Sequence, residues 1–300
     1  MTVLDSGELR TLSRLISAAE NQDPSVMEKL AGLFPKIGAA RVIGITGPPG
    51  AGKSSLTSGL VKLLRQQKKK VAVVAVDPVS PFTGGALLGD RIRLVDHFND
   101  PEVFIRSLST RGKLGGLSLA TRQVVHLLDA FGFDYILIET VGVGQSEVDI
   151  RKIADVTAVI LVPEWGDAIQ TLKAGLLEIG DIFVVNKSDR EGADRLAMEL
   201  KNMLQFARRE ESPVLLTIAS KIETVESLLS AATGFLEKEM SVIVERRKEG
   251  LREVIVELLE SQLIRQVREW AQKQAKPAAN PYEFVRDFLK KKPLEKIFSS

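Results

Sequence analysis

Eight consecutive residues, Gly47-Pro48-Pro49-Gly50-Ala51-Gly52-Lys53-Ser54, have the types and the spacing needed to wrap a phosphate chain. They fit the pattern GxxxxGK[ST], in which glycines turn successive backbone N–H groups inward and the following helix adds the positive end of its dipole. Lys53 is placed to reach the β- and γ-phosphates, Ser54 to offer its hydroxyl to Mg²⁺, and Ser55 to add a hydroxyl at the α-phosphate.

A second string, Asn186-Lys187-Ser188-Asp189, fits NKxD and closes the apolar run IFVV. Asp189 can accept from the guanine ring N–H and exocyclic amine together, whereas adenine leaves that carboxylate unpaired. Sites that hydrogen-bond a substrate group reject analogues lacking it by about 10⁴-fold or more. Asn186 and Lys187 are read as holding the loop, with the Lys187 stem over the base. Further on, Thr217-Ile218-Ala219 ends another apolar run, and the Ala219 backbone N–H is a candidate for the guanine carbonyl.

Acidic residues complete the set. Asp77 ends VAVVAV, Asp90 lies in Gly89-Asp90-Arg91-Ile92-Arg93, and Glu139 ends YILIE, ahead of Val141-Gly142. Carboxylates gathered at one triphosphate need a divalent cation between them. Glu139 is expected to act on Mg²⁺ through a water, and the Gly142 amide to sense the γ-phosphate. Any of Asp77, Asp90 and Glu139 is a candidate to orient the attacking water. With Lys53 these are the expected catalytic groups, and the chemistry is positioning and charge stabilisation at a phosphoryl group. The expectation is a Mg²⁺-dependent GTPase with GTP and GDP as its nucleotides.

The elements that must carry these residues alternate. Arg41–Thr46 reads as a buried strand running straight into the glycine-rich turn and a helix from Ser54 to Gln67. Further strands are expected at 71–76, 103–107, 135–139, 158–162, 182–186 and 214–218, separated by helical stretches. Continuous apolar strands between helices predict an α/β fold, a mostly parallel sheet covered on both faces, with ligands at the carboxyl ends of the strands. Leu9, Leu12, Leu15 and Ile16, then Val26, Leu30 and Leu33, predict a helical hairpin broken at Asp23-Pro24. From Phe235 a sustained helix is expected, with Pro277 and Pro281 breaking it. Its apolar stripe is covered either by the chain's own domain or by a second subunit. The expected division is an N-terminal helical segment (1–40), a P-loop domain (41–234) and a C-terminal helical extension (235–300).

Composition narrows the chemistry. There is no cysteine, so disulfides, thiolate metal sites and cysteine nucleophiles are excluded, and His97 and His126 are the two imidazoles. A formal charge of +2 gives no reason to expect a nucleic-acid surface. No apolar run approaches the ~20 residues that span a bilayer. A cytoplasmic protein without a membrane or nucleic-acid partner is expected.

Taken together, GPPGAGKSS, VDPVSPFTGGALLGDRIR, STRGKLGGLS, ETVGVGQSE, GDAIQTLKAG and NKSD resemble the MeaB/ArgK-type GTPases, a branch of the SIMIBI class of P-loop proteins. The resemblance runs over residues 41–189, and the flanking helices are similar as well. It implies a homodimeric G-protein chaperone that gates cofactor loading of an adenosylcobalamin-dependent acyl-CoA mutase, of methylmalonyl-CoA mutase type, and protects it from inactivation. It also implies that Asp77, Asp90 and Glu139 match metal and catalytic positions. Asp167, Gln170 and Lys173 then fall in a mobile segment that signals to the partner. Glu164-Trp165 and IASKIETVESL depart from the family pattern. Two other readings share the loop. A nickel-insertion GTPase usually carries histidine-rich tails or cysteine ligands, both lacking here, and a small-molecule kinase mostly takes ATP, against the NKxD string.

Overall fold

Seven short apolar runs, rich in valine and isoleucine, form the strands of one sheet: β1 (Arg41–Thr46), β2 (Val71–Asp77), β3 (Val103–Ser109), β4 (Tyr135–Thr140), β5 (Val156–Leu161), β6 (Ile182–Asn186) and β7 (Val214–Thr217). The computed structural model describes residues 5–77, 94–109, 119–140, 149–163 and 175–274, with Asn280, Tyr282, Glu283 and Arg286 beyond them. Strand order is β3-β2-β4-β1-β5-β6-β7 and every pairing is parallel. The expected fold is therefore present, with strand limits within two residues of those read from the sequence.

Strand periodicity sorts the core into two layers, because successive side chains point to opposite faces. Val42, Val74, Ile136 and Phe183 pack on one face. There they meet helices α1 (Ser6–Glu20), α4 (Leu119–Ala130) and α5 (Ala193–Phe206) through Leu12, Leu128 and Leu200. Ile43, Val73, Leu137 and Val184 pack on the other face, against α3 (Lys53–Gln66) and α6 (Ile222–Lys238) through Leu56, Leu60 and Leu228. Helix α2 (Ser25–Leu33) completes the N-terminal hairpin, which breaks at the predicted Asp23-Pro24. The first helix begins on a capping box, Asp5 accepting from Gly7 and Glu8 N–H at 2.7 Å each.

The helix expected to run unbroken from Phe235 is divided. One ends at Lys238 and α7 (Met240–Gln274) follows, with Glu239 between them at ψ 39°. A single altered ψ leaves no trace in three- and four-residue periodicity. The first turns of α7 are tied to the sheet: Ile243 is buried, Arg246 forks onto Asp181 at 2.6 and 2.7 Å, and Arg247 onto Asp155 at 2.7 Å twice.

Met1–Gly250 and Leu251–Ser300 form two compact units. In the second, Leu251, Ile255, Leu259 and Leu263 recur every fourth residue along the helix and are exposed. Among the described residues no helix is long and apolar enough to cross a membrane.

Candidate nucleotide site

The glycine-rich turn sits where β1 ends and α3 begins. Gly47 has φ +136°, and a Cβ there would lie 2.0 Å from the Ile160 carbonyl oxygen of β5, so neither backbone nor space admits another residue. Gly52 caps α3 at φ +87°, and a Cβ there would meet Asn186 Nδ2 at 2.3 Å. Helix α3 thus starts at Lys53, with no side-chain cap on its first amides. A helix start of this kind offers its first N–H groups and its dipole to an anion. The Lys53 ammonium, buried with its stem, donates to the carbonyls of Gly47 at 2.7 Å and Pro48 at 3.0 Å, which curls it across the loop. Pro49, Gly50 and Ser55 are exposed, while Ala51 is fully buried.

One turn into α3, the sheet supplies a carboxylate. Ile45 of β1 pairs with Glu139 of β4, which brings the acid beside the root of the loop. Ser54 Oγ donates to Glu139 Oε1 at 2.5 Å, and Thr57 Oγ1 to Glu139 Oε2 at 2.9 Å, all three residues being buried. Thr57 escaped the sequence reading. The available signal was its i,i+3 spacing from Ser54, which places both hydroxyls on one helix face. The next residues along these strands are also joined, Thr140 Oγ1 donating to Thr46 Oγ1 at 2.8 Å.

The base-reading string is brought to the same place. Asn186, buried at the end of β6, donates through Nδ2 to the Ala51 carbonyl at 2.8 Å and accepts at Oδ1 from Thr217 Oγ1 at 3.2 Å. Lys187 follows in the left-handed region at φ +56°, and the Ser188 amide donates to the Thr217 carbonyl at 3.0 Å. This turn leaves the Asp189 side chain exposed. In the neighbouring loop Thr224 Oγ1 accepts from Ile218 N–H at 3.0 Å, which shapes the turn carrying half-buried Ala219.

The phosphate loop, Glu139, Asn186 and the β7 end therefore converge at the carboxyl edge of the sheet. Asp90, Gly142, Asp167, Gln170, Lys173, Glu164 and Trp165 lie outside the described residues, and so does the side chain of Asp77, whose backbone ends β2. Among the described residues no three His, Asp or Glu groups gather as a metal-holding cluster. The donors that do meet, a hydroxyl and a carboxylate, are hard oxygens suited to Mg²⁺ or Ca²⁺ rather than to a soft metal.

Comparison with known proteins agrees with this geometry. The model of the family described as "Methylmalonyl Co-A mutase-associated GTPase MeaB" matches residues 12–272. A Pyrococcus horikoshii protein carrying a provisional GTPase designation is 46% identical over 261 residues, spanning 84% of this chain and 82% of its own. GTPase ArgK of Escherichia coli is 36% identical over 227 residues, or 72% of this chain and 69% of its own. The crystal structure of a LAO/AO transport system kinase superposes with a TM-score of 0.69 at 23% identity, covering 95% of this chain and 93% of that one, a likeness of fold. With a family match over most of its length and a phosphate loop, a buried acid and a guanine-type motif at one sheet edge, this chain belongs to the MeaB family and is a GTP-binding GTPase.

Proposed function

We propose that the protein is a Mg²⁺-dependent, homodimeric, cytoplasmic G-protein chaperone serving an adenosylcobalamin-dependent acyl-CoA mutase. In this reading it uses GTP to gate cofactor loading and to protect that mutase. The observation that carries the reading is the family match over residues 12–272, whose description names a methylmalonyl-CoA mutase, together with a site in which phosphate loop and base-reading strand end are hydrogen-bonded to each other.

In the proposed mechanism the amides at the start of α3 and the Lys53 ammonium bind the β- and γ-phosphates, which are the groups that gain charge as the phosphoryl bond breaks. Gly47, Pro48, Pro49, Gly50, Ala51 and Gly52 form the cradle, and Ser55 lies next to the α-phosphate. Asn186 fixes the distance between cradle and base, since its amide holds the Ala51 carbonyl. Asp189 reads guanine, Lys187 covers it and the Ala219 amide meets its carbonyl oxygen. Ser54 and Glu139 fit Mg²⁺ as a pair of buried oxygen donors 2.5 Å apart, and Asp77 and Asp90 are proposed to complete the set. When bound, the ion neutralises phosphate charge. Asp77, Asp90 or Glu139 orients the attacking water, and the Gly142 amide senses the γ-phosphate.

The exposed apolar residues Leu251, Ile255, Leu259 and Leu263 support pairing of two copies through the C-terminal helix. A chain ending at Gly250 keeps Arg246 and Arg247, and it is expected to be monomeric by light scattering; a dimer would remove that part of the proposal.

The central test is phosphate release from GTP with and without adenosylcobalamin-dependent acyl-CoA mutases. Stimulation by one of them supports the chaperone role and identifies the partner. Hydrolysis unmoved by every mutase leaves a GTPase and overturns that role. Base choice has its own test: Asp189→Asn is expected to shift preference from guanine towards xanthine nucleotides by about 10²-fold or more, because the carboxylate's two acceptors are replaced by an acceptor and a donor.

A further inference from the structure

We infer that Thr57 is a positioning residue for the divalent-cation step, holding the Glu139 carboxylate in place while Ser54 serves the cation. The inference rests on the reading of Ser54 and Glu139 as the cation-side pair. Its starting point is the carboxylate's geometry. Each oxygen of Glu139 is taken by a different α3 hydroxyl, Oε1 by Ser54 at 2.5 Å and Oε2 by Thr57 at 2.9 Å. Thr57 is completely buried, so water cannot substitute for its hydroxyl, and Glu139 is nearly so.

The two hydroxyls are not equivalent. The Ser54 side chain belongs to the phosphate loop and has a second task there. Once its oxygen turns to a cation, its proton points elsewhere and Oε1 loses that donor. Thr57 has no such task. Its hydroxyl proton faces the Lys53 carbonyl at 3.0 Å and Glu139 Oε2 at 2.9 Å. The carbonyl already serves the helix one turn back, and a carboxylate is the stronger acceptor. Thr57 therefore keeps Oε2 whichever way Ser54 turns. The β-branch limits its χ1 further, so the hydroxyl stays aimed.

A glutamate needs such a brace more than an aspartate. Its extra methylene adds a rotatable bond between the strand and the acid, and outer hydrogen bonds of this kind typically carry 10–100-fold in metal affinity. Leu137 and Glu139 share the face of β4 that looks onto α3, so helix and strand together set the acid's position.

The experiment is a titration of a fluorescent GDP analogue against the full chain at stepped Mg²⁺ concentrations and in EDTA. Thr57→Val keeps the shape and removes the hydroxyl. It is expected to raise the Mg²⁺ concentration giving half-maximal nucleotide retention by about 10-fold, with the affinity in EDTA unchanged. Thr57→Ser is expected to restore the wild-type requirement. Thr57→Ala serves in place of the valine variant if its melting temperature shows that valine is not accommodated. Glu139→Gln separates the two layers of the argument. A shifted Mg²⁺ requirement in Glu139→Gln with none in Thr57→Val overturns the role of Thr57 alone. An unshifted requirement in both overturns the placement of Glu139 on which it rests. Equal loss in EDTA and in Mg²⁺ would mark Thr57 as a packing residue and also overturn the inference.

Discussion

The two ends of the sheet are built on opposite principles. At the amino edge, acids take up the backbone groups that a parallel strand leaves open as it starts. Asp155 accepts from Val42 N–H, Asp181 from Thr157 N–H and Asp134 from Lys70 N–H, at 2.9, 2.9 and 2.7 Å, while Asp129 accepts from Gly38, Ala39 and Ala40. Two arginines of α7 then neutralise the most buried of these, Arg246 on Asp181 and Arg247 on Asp155. The hydrogen bonds that Arg247 donates to Asp155 hold its proton more firmly than in a free guanidinium. At the carboxyl edge the work is done by backbone: left-handed Gly47, Gly52 and Lys187, and amides at the start of α3. Among the described side chains there, Asn186 joins loop to loop, and Ser54 and Thr57 join helix to strand through Glu139. The difference teaches where rigidity is placed. Charge pairs fix the strand starts, so the strand ends can be shaped for an anion that brings its own charge.

If that division is right, the largest single effect on stability lies far from the site. Arg246→Met leaves Asp181 buried without its fork, and breaking a buried pair from one side costs about 3–5 kcal/mol. Denaturant unfolding is expected to show that loss, while GTP affinity of the folded fraction stays near wild type. A large fall in affinity at normal stability would erase the distinction between the two edges. The mirror experiment is Lys53→Ala. Losing a charge-assisted contact to phosphate is expected to cost about 3 kcal/mol, roughly 100-fold in GTP affinity. Freeing the Gly47 and Pro48 carbonyls should lower its melting temperature without nucleotide too, but by less than in Arg246→Met. Retained affinity would remove the phosphate-loop assignment.

Asn186 sharpens the comparison because it belongs to both kinds of region, a buried side chain inside the backbone-built edge. Asn186→Ala frees the Ala51 carbonyl and the Thr217 hydroxyl, a cost of about 1–2 kcal/mol divided between stability and nucleotide binding. Gly52→Ala is expected to cost about 1 kcal/mol from its left-handed backbone and more from the clash with Asn186. Combined, the two substitutions should cost less than their sum, since the amide that the new methyl strikes is gone. Strict additivity by calorimetry would mean that loop and base strand are independent.

Much of the carboxyl edge was legible in the sequence because its chemistry is local. The phosphate loop is eight adjacent residues, NKxD is four, and seven apolar runs announce strands buried on both faces. Glu139 stood out by ending such a run. The amino edge was not legible. Arg246 and Asp181 are ordinary charged residues in the sequence, 65 positions apart, and nothing in either one's neighbours marks the pair. Arg247 and Asp155 stand 92 apart. Thr57 was overlooked for a related reason: a threonine in mid-helix has no motif, and its role is set by a strand 82 positions away. The division of α6 from α7 at Glu239 rests on one backbone angle.

The smallest predicted effect tests whether the amino-edge frame tolerates charge that it has not paired. His126 lies on α4, half-buried, one turn before Asp129. Burial lowers its pKa from the ordinary imidazole value; Asp129 pulls the other way and Arg122 adds to the lowering. The fold therefore prefers the neutral ring, and the unfolded chain takes up a proton first as pH falls. Stability is complete above about pH 6.5, where both states are neutral. It declines as pH falls from there towards the lower folded-state pKa, because the unfolded state then binds more protons. His126→Gln removes that titration. Between pH 7.5 and 5 its denaturation midpoint should fall less than that of the parent chain, with nucleotide affinity at pH 7.5 unchanged. Parallel pH profiles for the two would mean that Asp129 compensates the ring after all, and that this end of the sheet accepts a proton without loss.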